Sequence, residues 1–291
     1  MSVPHRILVT GATGRLGRLL VPRLQARGAT VRAFTRQSEL ADSLRPQGVE
    51  PAIGDFDDAD ALRRALEDVS HLFLLSPITP ELAAQQIAVI DAAARAGVRR
   101  IVKLSGSHWT LEPPGRSLSG DAHARIEGAL RDSGIPHRVL RPNAWLQVTL
   151  GRVAAELAAG DVLHVPPGDP RVAFIDVRDI ADVAVEALFE DSDASPAPWV
   201  LTGGRPVGYG EIARIASQAT GRRIVAEPLS AQALKERRAA APSPYIAQVH
   251  AQFAELIAAG EAASVTATVS RVLGRPPRSV EAFLGETLAP H

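Results

Sequence analysis

The chain has 291 residues, 32 basic and 32 acidic side chains, no net charge and no cysteine. The length suits one large domain, or a domain with a smaller lobe, and the neutral balance removes the long-range attraction that nucleic acid or an anionic membrane would need. Because cysteine is absent, the sequence excludes disulfides, a thiolate nucleophile, an iron–sulfur cluster and a cysteine-ligated zinc site. We find no apolar run typical of a membrane span or an export signal, and therefore expect a cytoplasmic protein.

The first half of the chain alternates between short apolar runs and helical periodicity. The runs predict strands at Ile7–Thr10, Thr30–Phe34, Val49–Ile53, His71–Leu75, Arg100–Leu104 and Pro136–Leu140. Helices are predicted around Leu16–Leu24, Ser38–Arg45, Asp58–Glu67, Pro80–Ala96 and Ser119–Ser133. Strands this apolar, separated by helices, must form a parallel sheet that is covered on both faces. We therefore predict an α/β fold of the Rossmann type, with a doubly wound parallel sheet.

After about Ala144 the alternation becomes less regular. The predicted order is a helix at Trp145–Ala159, a turn-rich stretch at Pro166–Pro170, a helix at Val177–Glu190, a polar connection at Asp191–Pro198, helices at Tyr209–Thr220 and Ser230–Arg238, and a helical tail from Ala247. We predict a first domain over residues 1–150 and a smaller C-terminal α/β lobe over residues 151–291, interleaved with the first.

A glycine-rich segment lies directly between the first strand and the first helix. It reads TGATGRLG, from Thr10 to Gly17. The pyrophosphate of a dinucleotide needs backbone amides at a helix N-terminus with no side chain in the way, and glycines allow that approach. The segment predicts a dinucleotide site formed by Thr10, Gly11, Thr13, Gly14, Arg15, Leu16 and Gly17. The alternative is a turn that only lets the helix pack on the strand.

The end of the second strand distinguishes between the two nicotinamide cofactors. An NAD site places an acidic residue there to hold the ribose hydroxyls, but no carboxylate follows Val31 before Glu39. Arg36, together with Arg15, suits a 2′-phosphate through several parallel donors. NADP(H) is therefore favoured over NAD(H). The alternative is that both arginines are solvated surface charges.

Two residues follow the third strand at the edge where ligands bind in open α/β sheets. Asp55 and Phe56 are predicted to meet the adenine end of the cofactor. In the alternative interpretation, Asp57 or Asp58 caps the next helix and Phe56 is buried. The sequence leaves both interpretations open.

Further candidates follow the fourth and fifth strands. Leu75, Ser76 and Pro77 are predicted to lie along the cofactor, although Ser76 can instead cap the next helix. Ser105 and Ser107 are predicted to hydrogen-bond the substrate or the cofactor, and the alternative is that they cap loop backbone.

Several segments of the chain carry signatures that occur together in one known family. They are TGATGRLG, Arg36, GDFDD at Gly54–Asp58, KLSG at Lys103–Gly106, and the segments Ala124–Asn143, Phe174–Leu188 and Gly274–Leu284. With them the chain resembles the NmrA-like branch of the atypical short-chain dehydrogenase/reductases over nearly its whole length. The resemblance implies bound NAD(P)H. It is less specific for an activity, because the chain is similar to quinone reductases, isoflavone-type and benzylic ether reductases, triphenylmethane reductases and regulators that bind the dinucleotide.

The residues that handle protons in short-chain reductases are missing from their usual places. Typical members use a tyrosine and, four residues on, a lysine, so that both side chains lie on one helix face. The tyrosines of this chain are Tyr209 and Tyr245, and neither has a lysine four residues on. The lysines, Lys103 and Lys235, are not at the family's catalytic position either.

A histidine takes the place of the missing lysine. Counted back from Gly134–Pro136, the position that holds lysine in the benzylic ether reductases falls on His123. A histidine pKa of about 6.5 allows proton donation near neutrality, and Glu127 at i+4 can orient the ring or raise its pKa. We predict that His123 contacts ribose, nicotinamide or substrate. The alternative is a helix-surface histidine in a salt bridge with Glu127.

The resemblance also implies that the turn Arg141–Asn143 passes the nicotinamide, with Pro142 and Asn143 as cofactor contacts. The segment His108–Gly120 is long enough for a lid, and Trp109 and Trp145 can form an apolar wall for a flat ring. Both tryptophans are equally well explained as core or surface aromatics.

No spacing of histidines and carboxylates indicates a metal site.

Together these residues predict an NADP(H)-dependent oxidoreductase that transfers hydride to a small conjugated acceptor, such as a quinone, an enone or a cationic aromatic. His123, Ser105 and Ser107 are the predicted catalytic residues. Two alternatives stay open, a non-catalytic NADP(H)-sensing regulatory protein of NmrA type and a biosynthetic isomerase or cyclase on the same fold. The expected partner is a small-molecule substrate bound by the later lobe. Nothing in the sequence decides between a monomer and a homodimer.

Overall fold

A computed structural model describes residues 5–190 and 197–289, and at residues 40–42, 154, 237 and 238 it describes the backbone only. The strands are β1 (Arg6–Thr10), β2 (Thr30–Thr35), β3 (Glu50–Ile53), β4 (His71–Leu74), β5 (Arg100–Leu104), β6 (His137–Pro142), β7 (Val162–Val165), β8 (Trp199–Leu201) and β9 (Val225–Pro228). A seven-stranded sheet has the order β3-β2-β1-β4-β5-β6-β8, and β7 pairs with β9 in a second sheet.

Helices connect these strands. They are α1 (Gly17–Ala26), α2 (Ser38–Leu44), α3 (Ala59–Leu66), α4 (Leu82–Arg95), α5 (His108–Leu111), α6 (Leu118–Asp132), α7 (Leu146–Thr149), α8 (Val153–Ala159), α9 (Val177–Leu188), α10 (Tyr209–Thr220), α11 (Ala231–Ala239), α12 (Pro244–Ala258), α13 (Thr268–Leu273) and α14 (Val280–Leu288). Short 3-10 helices lie at Arg45–Gln47 and Glu261–Ala263.

The central strands are apolar because both faces of the sheet are covered. In β1 the side chains of Ile7, Leu8 and Val9 are fully buried. This strand pairs in parallel with β2 on one side and with β4 on the other, and β5 and β6 continue the parallel pairing. Parallel neighbours need crossover connections, which the helices between them provide. The predicted doubly wound α/β fold is confirmed.

The described chain forms two compact units, each built from three segments. The first comprises Met1–Gly106, Asp121–Arg141 and Ile180–Trp199, and the second comprises Ser107–Gly120, Pro142–Asp179 and Val200–His291. Each unit has its own apolar cluster. That of the first unit includes Leu72 and Ile101, whereas that of the second includes Phe174 and Ile212. The chain therefore alternates between the units on both sides of residue 150.

The later half differs in detail from the predicted elements. The single helix predicted at Trp145–Ala159 is divided into α7 and α8, with Gly151 between them, because glycine is a poor helix former. The strands β7, β8 and β9 were not predicted from the sequence. Most of the predicted connection at Asp191–Pro198 lies outside the described residues.

The segment predicted as a long loop at His108–Gly120 contains the short helix α5 and the first turn of α6. Trp109 and Leu111 are buried, and Ser117 Oγ accepts the Gly120 amide at 2.9 Å, so the segment is held by packing and by a helix cap. Its proposed role as a lid stays a prediction.

Within residues 5–190 and 197–289 no single helix is long and apolar enough to cross a bilayer, and the bent helix pair Pro244–Ala258 with Glu261–Leu273 has the necessary length and composition only when both helices are taken together. The same residues contain no group of three or more histidine, aspartate and glutamate side chains able to hold a metal ion.

Candidate active site

The turn after β1 brings glycine backbone close together. Gly11 has a φ of 68°, in the left-handed region that favours glycine, and a Cβ added there would lie 3.2 Å from Leu75 Cγ. At Gly17, where α1 begins, an added Cβ would lie only 2.3 Å from the carbonyl oxygen of Gly11. The turn therefore packs glycine backbone tightly at a helix N-terminus, an arrangement that fits the pyrophosphate of a dinucleotide.

The residues next to this turn fix the ends of two central strands. The Thr10 hydroxyl donates to the Leu75 carbonyl at 2.7 Å and accepts the Leu75 amide at 2.8 Å. Ser76 is buried and accepts a hydrogen bond from Gln86 Nε2 at 2.8 Å, so it braces α4 and does not cap it. Pro77 is exposed. Contact of these residues with a cofactor stays a prediction.

The predicted 2′-phosphate and adenine residues lie after β2 and β3. Arg36 is 71% exposed, and its Nη1 lies 3.6 Å from Asp55 Oδ2. Phe56 is half-buried and stacks on Phe34 with ring centroids 5.6 Å apart, while Asp58 caps α3 by accepting a backbone amide at 2.9 Å. The Asp58 cap matches the alternative interpretation of this segment, but Phe56 is only half-buried, so its contact with the adenine end stays a prediction. Arg36 stays accessible to an anion.

Five buried polar side chains from β5, α6, β6 and the loop after β5 form a cluster within the first unit. Glu127 is its anion, because Oε1 accepts from Ser105 Oγ at 2.6 Å and Oε2 accepts from Arg141 Nη2 at 2.6 Å. Lys103 Nζ donates to the carbonyl of the next residue at 2.9 Å and lies 3.2 Å from His123 Nδ1. Ligands bind at the carboxyl ends of strands in such sheets, which is where this cluster lies.

The electrostatics of this cluster correct one sequence prediction. Burial, followed by the charges of Lys103 and Arg141, lowers the pKa of His123 well below its ordinary value. Glu127 does not orient His123 or raise its pKa, because its carboxylate is engaged by Ser105 and Arg141. The alternative of a surface histidine is also wrong, since His123 is only 6% exposed.

The remaining predicted residues lie in the second unit, where they hydrogen-bond one another. Ser107 Oγ donates to the Pro142 carbonyl at 2.8 Å. Trp109 Nε1 donates to Asn143 Oδ1 at 2.8 Å, and Asn143 Nδ2 donates to a backbone carbonyl at 2.9 Å. Trp109 belongs to the apolar core of this unit, as the core interpretation expects, and Trp145 is half-buried. Their contacts with cofactor or substrate stay predictions.

Lys103 and Arg141 are members of the cluster that the sequence analysis did not assign. Lys103 lies in RIVKL, next to apolar residues, and Arg141 lies in HRVLRP, which has two arginines. Lysine and arginine are almost never fully buried unless they are paired, so a lysine within an apolar run is the signal that could have identified Lys103.

The chain matches one family over almost its full length. Residues 4–284 fit the sequence model of the NmrA-like family. The chain belongs to this family. The resemblance found in its sequence motifs is thereby confirmed.

Curated relatives extend across the whole chain. The (4-alkanoyl-5-oxo-2,5-dihydrofuran-3-yl)methyl phosphate reductase of Streptomyces griseus is 36% identical, over 94% of this chain and 94% of the relative. The NAD(P)H azoreductase of Xenophilus azovorans is 30% identical, over 95% of this chain and 96% of the relative.

Solved structures share the fold. The NADPH-dependent quinone oxidoreductase of Escherichia coli, complexed with NADPH, has a TM-score of 0.85 at 26% identity and covers 97% of this chain and 100% of its own. The triphenylmethane reductase of Citrobacter sp., complexed with NADP(H), has a TM-score of 0.81 at 26% identity. The match covers 97% of this chain and 98% of the reductase chain.

Proposed function

We propose that this protein is an NADPH-dependent reductase that delivers hydride to a small conjugated acceptor, such as a quinone, an enone or a cationic aromatic ring. The observation that carries the proposal is the close-packed backbone turn at Gly11 and Gly17, which leaves no room for a Cβ at Gly17. When bound there, NADPH supplies the hydride, and the protein supplies orientation and electrostatics.

The names of the relatives support an acceptor of this class. Relatives over nearly the whole chain are reductases of an azo compound and of an unsaturated lactone phosphate. The structural neighbours are named for quinones and triphenylmethane dyes. All of these acceptors have conjugated electrons that take up the charge of an incoming hydride, so one binding geometry serves them all.

Proton transfer is assigned to His123 and not to a tyrosine. Tyr209 is buried in the second unit, where burial raises its pKa to about 12. The hydroxyls of Ser105 and Ser107 donate within the protein, to a carboxylate and to a backbone carbonyl. His123 Nε2 makes no hydrogen bond to the residues that the structure describes, so it is the polar atom able to donate to a bound molecule.

Cofactor choice is tested by titrating the protein with NADPH and NADH. Replacing Arg36 with alanine is expected to weaken NADPH binding about 10- to 100-fold and to leave NADH binding unchanged, because hydrogen bonds to charged groups contribute about 1.5–3 kcal/mol. Calorimetric dissociation constants give the comparison. The matched control is Arg63→Ala, which removes an arginine that is 64% exposed on α3. Equal weakening of both cofactors would disprove the 2′-phosphate assignment.

The reductase activity is tested by following NADPH absorbance with a panel of quinones, enones and triphenylmethane cations. The protein is expected to oxidise NADPH with at least one class of acceptor and to leave it intact without an acceptor. If the protein binds NADPH but reduces no member of the panel, the reductase proposal fails, and the NADP(H)-sensing alternative takes its place.

A further inference from the structure

Lys103 is a fully buried cation whose partners are almost all neutral. Its Nζ lies beside a backbone carbonyl at 2.9 Å and His123 Nδ1 at 3.2 Å. No carboxylate of the described residues forms an ion pair with it, since both oxygens of Glu127 are bonded to Ser105 and Arg141. An ammonium group in such surroundings loses solvation without full compensation, so the neutral amine becomes accessible.

The contact between Lys103 and His123 fixes the tautomer of the imidazole ring. A lysine ammonium can only donate, so Nδ1 must accept and the ring proton must lie on Nε2. If Lys103 becomes a neutral amine, it can accept a hydrogen bond from an Nδ1–H group, and Nε2 then carries no proton. The two arrangements differ by one proton, and Nε2 is the atom at which that proton leaves.

We propose that Lys103 and His123 form a proton relay, in which Lys103 replaces the proton that His123 Nε2 gives to the reduced acceptor. The inference rests on the proposed hydride transfer. An enone that takes hydride from NADPH, which becomes NADP⁺, is left as an enolate. The Nε2–H bond breaks as the enolate takes that proton, and one Nζ–H bond breaks as Nδ1 takes another, which leaves Lys103 as a neutral amine. The starting state returns when Nε2 takes a proton from solvent and Nδ1 gives its proton back to Lys103.

The charges around the relay set its working pH range. The relay consists of Lys103 on β5 and His123 on α6. The charged groups that face it are Glu127 on α6 and Arg141 on β6. Burial lowers the pKa of Lys103 to about 7, against the attraction of Glu127, while the pKa of His123 is well below its ordinary value. Lys103 therefore holds the proton at low pH and loses it as pH rises through about 7, where His123 is already neutral.

Two kinds of acceptor distinguish an effect on the proton relay from an effect on hydride transfer. A triphenylmethane cation becomes neutral when it takes hydride and needs no proton, whereas an enone needs one. Lys103 acts through His123 and is a positioning residue. Lys103→Met is therefore expected to lower kcat for an enone about 100-fold, and to change kcat for a triphenylmethane cation by less than about 3-fold.

The matched control is Lys235→Met, which removes the other lysine of the chain from an exposed position on α11. For the wild type, kcat with an enone is expected to fall above about pH 7, in line with the pKa of Lys103. The kcat with a triphenylmethane cation is not expected to fall there. Equal loss of both activities in Lys103→Met, or an unchanged enone rate, overturns the relay.

The tautomer of the His123 ring can be measured without turnover, so this measurement tests the relay separately from the proposed function. Nitrogen-15 spectra of the imidazole are expected to show the Nε2–H tautomer of His123 at about pH 6, with loss of that preference in Lys103→Met. If wild-type protein reduces neither acceptor, the proposed function fails while these spectra still decide the relay. An Nδ1–H ring at about pH 6 overturns it.

Discussion

Replacing Glu127 with leucine is expected to lower the free energy of unfolding by about 3–5 kcal/mol. Glu127 is the carboxylate of the buried cluster, and its loss removes the oxygens to which Arg141 Nε and Nη2 donate, close to the Lys103 ammonium. The Ser105 hydroxyl also loses its acceptor. A buried charge without a partner costs far more than the pair contributed. Urea denaturation followed by circular dichroism measures the change.

Two comparisons show whether burial causes this effect. Glu67→Leu removes a carboxylate at the C-terminal end of α3, paired with Arg63 at 3.0 Å but largely exposed, and is expected to cost no more than about 1 kcal/mol. Combining Glu127→Leu with Arg141→Met removes both buried charges and should restore most of the lost stability. A single Glu127→Leu variant as stable as Glu67→Leu would contradict the assignment of a buried ion pair.

The sheet was predictable because its strands are buried on both faces. Runs such as ILVT before Gly11 and HLFLL before Ser76 are apolar except at one end, and the structure places β1 and β4 within about one residue of the predicted bounds. The later unit gave no such signal, because VLHV and VAEP form a small sheet whose strands have half-exposed or exposed positions.

The two halves of the candidate site differ in how far sequence could specify them. The glycine turn depends on backbone geometry, which demands a particular residue type at a particular place, so the sequence shows it directly. The polar cluster depends on contacts between β5, α6 and β6. Helical spacing suggested a pairing of His123 with Glu127, but Glu127 is bound by Arg141 on β6, and His123 by Lys103 on β5. Tertiary contacts of this kind leave no local pattern.

Replacing Gly17 with alanine is expected to raise the dissociation constant for NADPH by about 10- to 100-fold. The new Cβ would lie 2.3 Å from the Gly11 carbonyl oxygen and 2.5 Å from Ala12 Cα, distances that force the turn to move away from α1. Overpacking of this kind costs about 1–3 kcal/mol, and it displaces the amides that hold the pyrophosphate. Fluorescence titration with NADPH measures the change.

The control for this substitution is another helical glycine, Gly285 on α14, where an added Cβ would meet no heavy atom within 4 Å. Gly285→Ala is expected to leave NADPH binding unchanged and to stabilise the fold by up to about 1 kcal/mol, because alanine restricts the unfolded chain. The contrast separates crowding at the turn from a general effect of alanine in a helix. A folded Gly17→Ala protein that binds NADPH as tightly as the wild type would show that the cofactor phosphates do not depend on this turn.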